Sequence, residues 1–201
     1  RRQGYRDLVI LRTLYNTGAR ASELCALRLS DLNFLEKQLR LSGKGRKSRL
    51  VPLWDSSVAF LKAYLNQDRD KPLPGYESFL FINQRRTRLT RSGLYRLCRH
   101  YLLKASREIP SLQYKRIHPV HGWRYTTASH LLLARVDITV IQEWLGHVSI
   151  NTTCRYKGIS METKRAALEK FYLFETSQHA QAPEGIDWSL YPDLLAFLRA
   201  L

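Results

Sequence analysis

Apolar positions recur at helical spacing in "RDLVILRTLYNTG", where Leu8, Leu11, Leu14 and Tyr15 stand three or four apart and Gly18 stops the run. "ASELCALRLSDL" predicts a second helix, with Glu23 in its first turn and Arg20 at the joint. The period then changes from helical to alternating in "QLRLSGKGRKSRLVPL". Leu39 and Leu41 alternate with polar residues, residues 43–48 break the pattern, and Leu50, Val51 and Leu53 resume it. This predicts a β-hairpin with a basic tip. Helix returns at 55–66, with Val58, Leu61 and Leu65 on one face. "FLFIN" is either a short strand or a buried segment, which periodicity alone does not separate. Thr90 is placed to cap a helix to about Ser106, with Leu94, Leu97 and Tyr101 inward. Helices are expected at 121–134 and 138–145, a short turn from Ser149 towards Tyr156, and a helix from Ser160 to about Tyr172. A final stripe of Leu194, Leu195, Leu198 and Leu201 follows a polar stretch. The pattern predicts a mainly α chain with one small antiparallel β-sheet, an α+β fold.

Charge narrows the partners. Lys plus Arg is 33 against 17 Asp plus Glu, a formal net charge of +16. Such a chain seeks polyanions, and nucleic acid is the default. The excess is segregated: residues 175–201 carry −3, which leaves +19 on the preceding 174. No apolar run approaches the roughly 18 residues of a membrane span, so no membrane partner is expected. Cys25, Cys98 and Cys154 have no paired spacing, which argues for a reducing, cytoplasmic compartment. The chain begins at Arg1 with no signal peptide, so a piece of a longer protein is expected.

Reactive side chains gather at four turns or helix starts: "TGARASEL", the hairpin tip "GKGRKSR", "HGWR" and "LGHVSINTTCRY". His121 and Arg124 are three apart, hence on one helix face. No carboxylate cluster stands ready for magnesium, and there is no P-loop, which argues against a two-metal nuclease or an ATPase. His118, His121 and His130 lack further ligands at a familiar spacing, so neither a metal nor any other cofactor is expected. Two arginines, a lysine, two histidines and a tyrosine suit metal-free transesterification of a phosphodiester. Tyrosine oxygen is the nucleophile, guanidinium forks match phosphate oxygens, and histidine moves protons near neutral pH. Read singly, each has an ordinary explanation: an exposed arginine at a helix start, a first-turn acid favoured by the helix dipole, a charged hairpin tip or a core aromatic.

Taken in order, the four stretches resemble the motif set of the tyrosine recombinases, or phage integrase family, over about residues 5–172. The resemblance implies that family's catalytic-domain fold and a tyrosine site-specific recombinase. Tyr156 would be the nucleophile that forms a 3′-phosphotyrosine. Arg20, Arg124 and His147 would hold the phosphate, His121 would exchange the proton, Lys44 would protonate the leaving oxygen, and Glu23 would support them. The expected partners are duplex DNA with a specific recombination site and further copies of the chain, assembled as a tetramer that exchanges strands through a Holliday junction. A mobile-element or bacterial integrase, transposase or resolvase fits, acting in the cytoplasm on the nucleoid. Trp123 and Tyr125 stand where the family often has leucine and histidine.

The remaining basic positions are candidate DNA contacts: Arg46 and Lys47 on the hairpin tip, then Arg85, Arg86, Arg88, Arg91, Arg96 and Arg99. Residues 1–174 are expected to form the catalytic domain, 175–185 a linker and 186–201 an amphipathic helix that docks on its own or a neighbouring protomer. The family's separate N-terminal core-binding domain has no counterpart in the sequence. The competing functions are a type IB topoisomerase, which shares the chemistry, a vestigial DNA-binding protein and a basic RNA binder with stacking platforms.

Overall fold

The computed structural model describes residues 2–43, 48–112, 117–146 and 161–178. Helix α1 (Arg2–Thr17) carries more buried polar residues than its leucine pattern implies. Its inner face is Val9, Ile10, Thr13, Leu14, Asn16 and Thr17, whereas Leu8 is exposed. The buried hydroxyls are satisfied along the helix, Thr13 donating to the Val9 carbonyl and Thr17 to that of Thr13. Asn16 leaves the helix to bridge two elements. Its amide donates to the Pro52 carbonyl and accepts from the Trp54 amide, both at 3.1 Å. A buried amide satisfied at both ends fixes where the sheet stops and the next helix starts.

Helix α2 (Ala21–Ala26) is shorter than the expected run to Leu32. The backbone after it is drawn into non-local pairing: Leu29 donates to Ser78 and Leu80 to Leu27, and Arg28 bridges Phe79. A 3-10 turn (Leu29–Asp31) then leads into β1 (Leu32–Asn33). The predicted hairpin is present as β2 (Gln38–Ser42) and β3 (Ser48–Pro52), and β1 adds a third antiparallel strand in the order β1-β2-β3. Leu39 faces Val51 and Leu41 faces Arg49.

Helix α3 (Asp55–Ala63) ends in a π turn (Tyr64–Asp68). The "FLFIN" stretch is a buried segment with isolated bridges at Phe79 and Ile82 rather than a strand. Helix α4 (Arg91–Glu108) is capped as expected, with the Thr90 hydroxyl accepting from Gly93. Helices α5 (His121–Leu133) and α6 (Ile138–Leu145) match their predicted bounds closely. Helix α7 (Met161–Gln178) continues past Tyr172 and takes the first four residues of the expected linker. The expected turn after Ser149 and the expected terminal helix lie outside the described residues.

Aromatic packing docks α7 on the body. Phe171 is fully buried, with its ring centroid 5.0 Å from Trp54 and 5.2 Å from Tyr15. The Tyr15 hydroxyl also bonds His130 Nδ1 at 2.6 Å, and burial lowers the pKa of His130. Trp123 joins this core, edge-on to Tyr15. Lys164, buried on α7, pairs with Glu143 of α6 at 2.8 Å and donates to the Leu50 carbonyl. Among the described residues no helix is long and apolar enough to cross a membrane.

The approach of the chain just after α1 to Leu145 of α6 turns on Gly18. It has a positive φ of 59°, and a Cβ there would overlap Leu145 Cδ2. Gly18→Ala is expected to lower stability by roughly 1–3 kcal/mol through the left-handed backbone alone, and more if Leu145 does not yield. An unchanged urea midpoint would contradict this packing.

Candidate active site

Arg20 precedes α2 with an extended backbone and Glu23 sits in that helix's first turn. Glu23 reaches back, accepting from the Arg20 amide at 2.8 Å and from Arg20 Nη1 at 3.0 Å. This satisfies one of the helix's orphan N-terminal donors and fixes the arginine side chain at the same time. The Glu23 side chain is only 1% exposed, whereas that of Arg20 is 37% exposed.

A third residue completes the arrangement. Arg49, at the start of β3, forks onto Glu23, with Nη1 to Oε1 and Nη2 to Oε2 both at 2.9 Å. Two parallel, charge-assisted bonds make this the strongest pairing geometry available to a carboxylate. Burial alone would raise the Glu23 pKa. The Arg49 fork and charge, then the Arg20 bonds, overcome that and bring it from 4.5 down to about 2. Arg49 was not among the candidate residues. Its signal was the strand alternation: its partner across the hairpin is Leu41, so it takes an inward position in register with the buried Leu39 and Val51.

Arg124 comes from α5 and is 5% exposed. Its Nη1 donates to the Gly18 carbonyl and its Nη2 to the Leu145 carbonyl, both at 2.6 Å. Burial, then the nearby Arg20 and Arg49, lower its pKa to about 9, so it stays charged at neutral pH. His121 lies exposed at the start of the same helix. What burial it has, then His118, Arg124 and Arg20, hold its pKa below the usual value, favouring the neutral, proton-accepting ring. His118 closes the preceding loop, its Nδ1 accepting from the His121 amide at 3.2 Å.

These groups converge on the last turn of α6, where four consecutive residues are each held by a cation from a different part of the chain. Glu143 pairs with Lys164 of α7. The Trp144 carbonyl accepts from Arg49 Nε at 2.7 Å, that of Leu145 from Arg124, and that of Gly146 from Arg20 Nη2 at 3.2 Å. A helix C-terminus presents unsatisfied carbonyls and about −0.5 elementary charge, which suits guanidinium groups. Gly146 ends the helix at a φ of 67°, and a Cβ there would lie 2.9 Å from Arg49 Cδ. His147 is the next residue in the chain.

The structure therefore brings Arg20, Glu23 and Arg124 together, with His121 within their electrostatic reach. Lys44, Arg46, Lys47, His147 and Tyr156 lie outside the described residues. Arg85, Arg86, Arg88, Arg91, Arg96 and Arg99 are all exposed. Asn83 shapes the turn that carries the first of them, accepting from the Arg85 and Thr87 amides, and the guanidiniums of Arg88 and Arg28 both lie over the Phe79 ring.

Comparison with known proteins identifies the family. The sequence matches the phage integrase family over residues 1–163. It is 35% identical over 170 residues to the tyrosine recombinase XerD of Staphylococcus haemolyticus, covering 84% of this chain and 55% of that protein. The XerA recombinase structure superposes with a TM-score of 0.61 and 32% identity, covering 90% of this chain and 60% of that one. A XerH recombinase bound to its difH substrate before cleavage superposes with a TM-score of 0.58 and 25% identity, covering 86% of this chain and 45% of that one. The chain thus spans about half the length of the curated relatives it matches.

The depressed Glu23 pKa makes a pH prediction. Stability from a carboxylate whose folded pKa is lowered is fully present above its unfolded value, near 4.5, and is lost as pH falls towards about 2. The stability difference between the wild type and Glu23→Gln, measured by urea unfolding, should narrow by roughly 3 kcal/mol from neutral pH to pH 2. A difference that does not change with pH would mean that Glu23 is not held as an anion.

Proposed function

Because the chain belongs to the phage integrase family, we propose that it cuts and rejoins duplex DNA at specific sites, without metal or ATP, through a 3′-phosphotyrosine. The observation that carries this reading is the convergence of Arg20 and Arg124 on the end of α6, one residue before His147. Glu23 is bonded by Arg20 and Arg49 and lies within electrostatic reach of Arg124, so among the described residues the site carries a positive surplus that a phosphodiester would neutralise.

In this mechanism the Tyr156 oxygen attacks the scissile phosphorus and passes its proton to neutral His121. The P–O5′ bond breaks, and Lys44 protonates the departing 5′ oxygen. Arg20, Arg124 and His147 donate to the non-bridging oxygens, whose negative charge grows in the transition state. Glu23 orients Arg20. The bond energy is kept in the phosphotyrosine, so a 5′-hydroxyl from a second duplex reverses the step. Pairwise exchange of this kind needs four protomers on two sites and passes through a Holliday junction. The exposed arginines from Arg85 to Arg99, with Arg46 and Lys47, contribute phosphate contacts. Residues 1–174 carry the chemistry, and the amphipathic segment 186–201 docks on its own or a neighbouring protomer.

The likeness to XerD and to the DNA-bound XerH supports recombination over a type IB topoisomerase or a vestigial binder. It also supports a place of action in the bacterial cytoplasm, on nucleoid DNA, for a chromosomal or mobile-element recombinase.

Tyr156→Phe is expected to abolish covalent capture of a nicked duplex while leaving duplex affinity intact, and capture that persists would reassign the nucleophile. Arg20→Ala or Arg124→Ala should slow capture by about a hundred-fold, the scale of a lost oxyanion donor. Affinity should fall steeply as salt rises, because bound phosphates release counterions. A flat salt response would contradict the phosphate-clamp reading.

A further inference from the structure

Resting on the strand-transfer reading above, we infer that Arg49 is a positioning residue for the phosphate site, acting on Arg20 through Glu23 and through the end of α6. Its place in the fold is unlike that of a DNA contact. The side chain is 10% exposed, and three of its nitrogens are committed: Nη1 and Nη2 to the two oxygens of Glu23, and Nε to the Trp144 carbonyl. Arg20 uses the same two anchors one step removed, Nη1 on Glu23 Oε1 and Nη2 on the Gly146 carbonyl. Arg49 thus fixes both the carboxylate and the helix end that set the plane of the Arg20 guanidinium. The Gly146 contact reinforces this, because the Arg49 stem occupies the space a Cβ at Gly146 would need.

Geometry also explains why arginine stands there. A lysine carries one ammonium and cannot fork onto both carboxylate oxygens while also reaching the Trp144 carbonyl. Arg49 is also the second residue of β3, paired with Leu41 of β2, so it couples the register of the hairpin to the guanidinium pair.

The test uses Arg49→Lys, Arg49→Met, Glu23→Gln and the double variant Arg49→Met/Glu23→Gln. The substrate is a nicked duplex selected by covalent capture from a pool with a randomised core. Arg49→Lys should keep the wild-type melting temperature to within a few degrees and bind the duplex within about twofold of wild type. Its single-turnover capture at saturating DNA should be at least about tenfold slower. The loss from Arg49→Met should shrink markedly in the Glu23→Gln background, because both changes break one relay. A second readout needs no activity: the Glu23 carboxyl resonance, faced by Arg49, Arg20 and Arg124, should titrate at higher pH in both Arg49 variants than in the wild type.

Wild-type capture rates in Arg49→Lys, or a loss confined to DNA affinity, would overturn the inference. So would equal losses from Arg49→Met in both backgrounds, or a Glu23 titration that does not move. If the wild-type chain captures no duplex, the strand-transfer reading fails, and the Glu23 titration still decides whether Arg49 holds this carboxylate.

Discussion

The last turn of α6 is the point on which the rest of the structure depends. Its carbonyls at Trp144, Leu145 and Gly146 accept from Arg49, Arg124 and Arg20, and its Glu143 side chain pairs with Lys164. These cations come from β3, α5, the start of α2 and α7, so one helix end ties four parts of the chain together. The chain immediately beyond it carries His147 and, nine residues later, Tyr156. Such an end is suited to this because its carbonyls cannot be satisfied within the helix and its dipole is negative there.

The same arrangement is electrostatically incomplete. Burial and the neighbouring Arg20 and Arg49 depress the Arg124 pKa, while Glu23 opposes them and is itself held far below the ordinary carboxylate range. Among the described residues, Glu23 and the helix dipole do not balance the three guanidiniums. An oxyanion at the outer edge of Arg20 would relieve that repulsion, and more so if its charge grew along the proposed strand transfer. On the proposed strand-transfer reading, the folded protein bears in advance the cost of gathering the cations, and a reacting phosphate need not organise them.

Much of this was legible in the sequence, and the omissions have physical reasons. The helix that follows Arg20 and the helix that carries His121 and Arg124 follow from local period, and their motifs point to phosphate chemistry. Arg49 was hidden because it stands in a run of basic residues, where composition suggests a solvated hairpin tip. Only its register opposite Leu41 reveals that it points inward. The α2 helix was expected to run on because "ALRLSDL" keeps a helical spacing. The pairing of residues 27–29 with 78–80 is non-local, and no local pattern encodes it. The leucine stripe of α1 misplaced its inner face for a similar reason: Thr13, Asn16 and Thr17 are buried because their hydrogen bonds are satisfied, and Leu8 is left outside.

The most direct test of the proposed phosphate site is a crystal structure of the chain with a nicked duplex and orthovanadate, which mimics the pentavalent phosphorus. Vanadate oxygens are expected to accept from Arg20 and Arg124, with the Tyr156 oxygen axial and Arg49 still forked onto Glu23 and bonded to the Trp144 carbonyl. Vanadate bound away from the two arginines, or Arg49 turned from Glu23 onto the vanadate, would contradict that site.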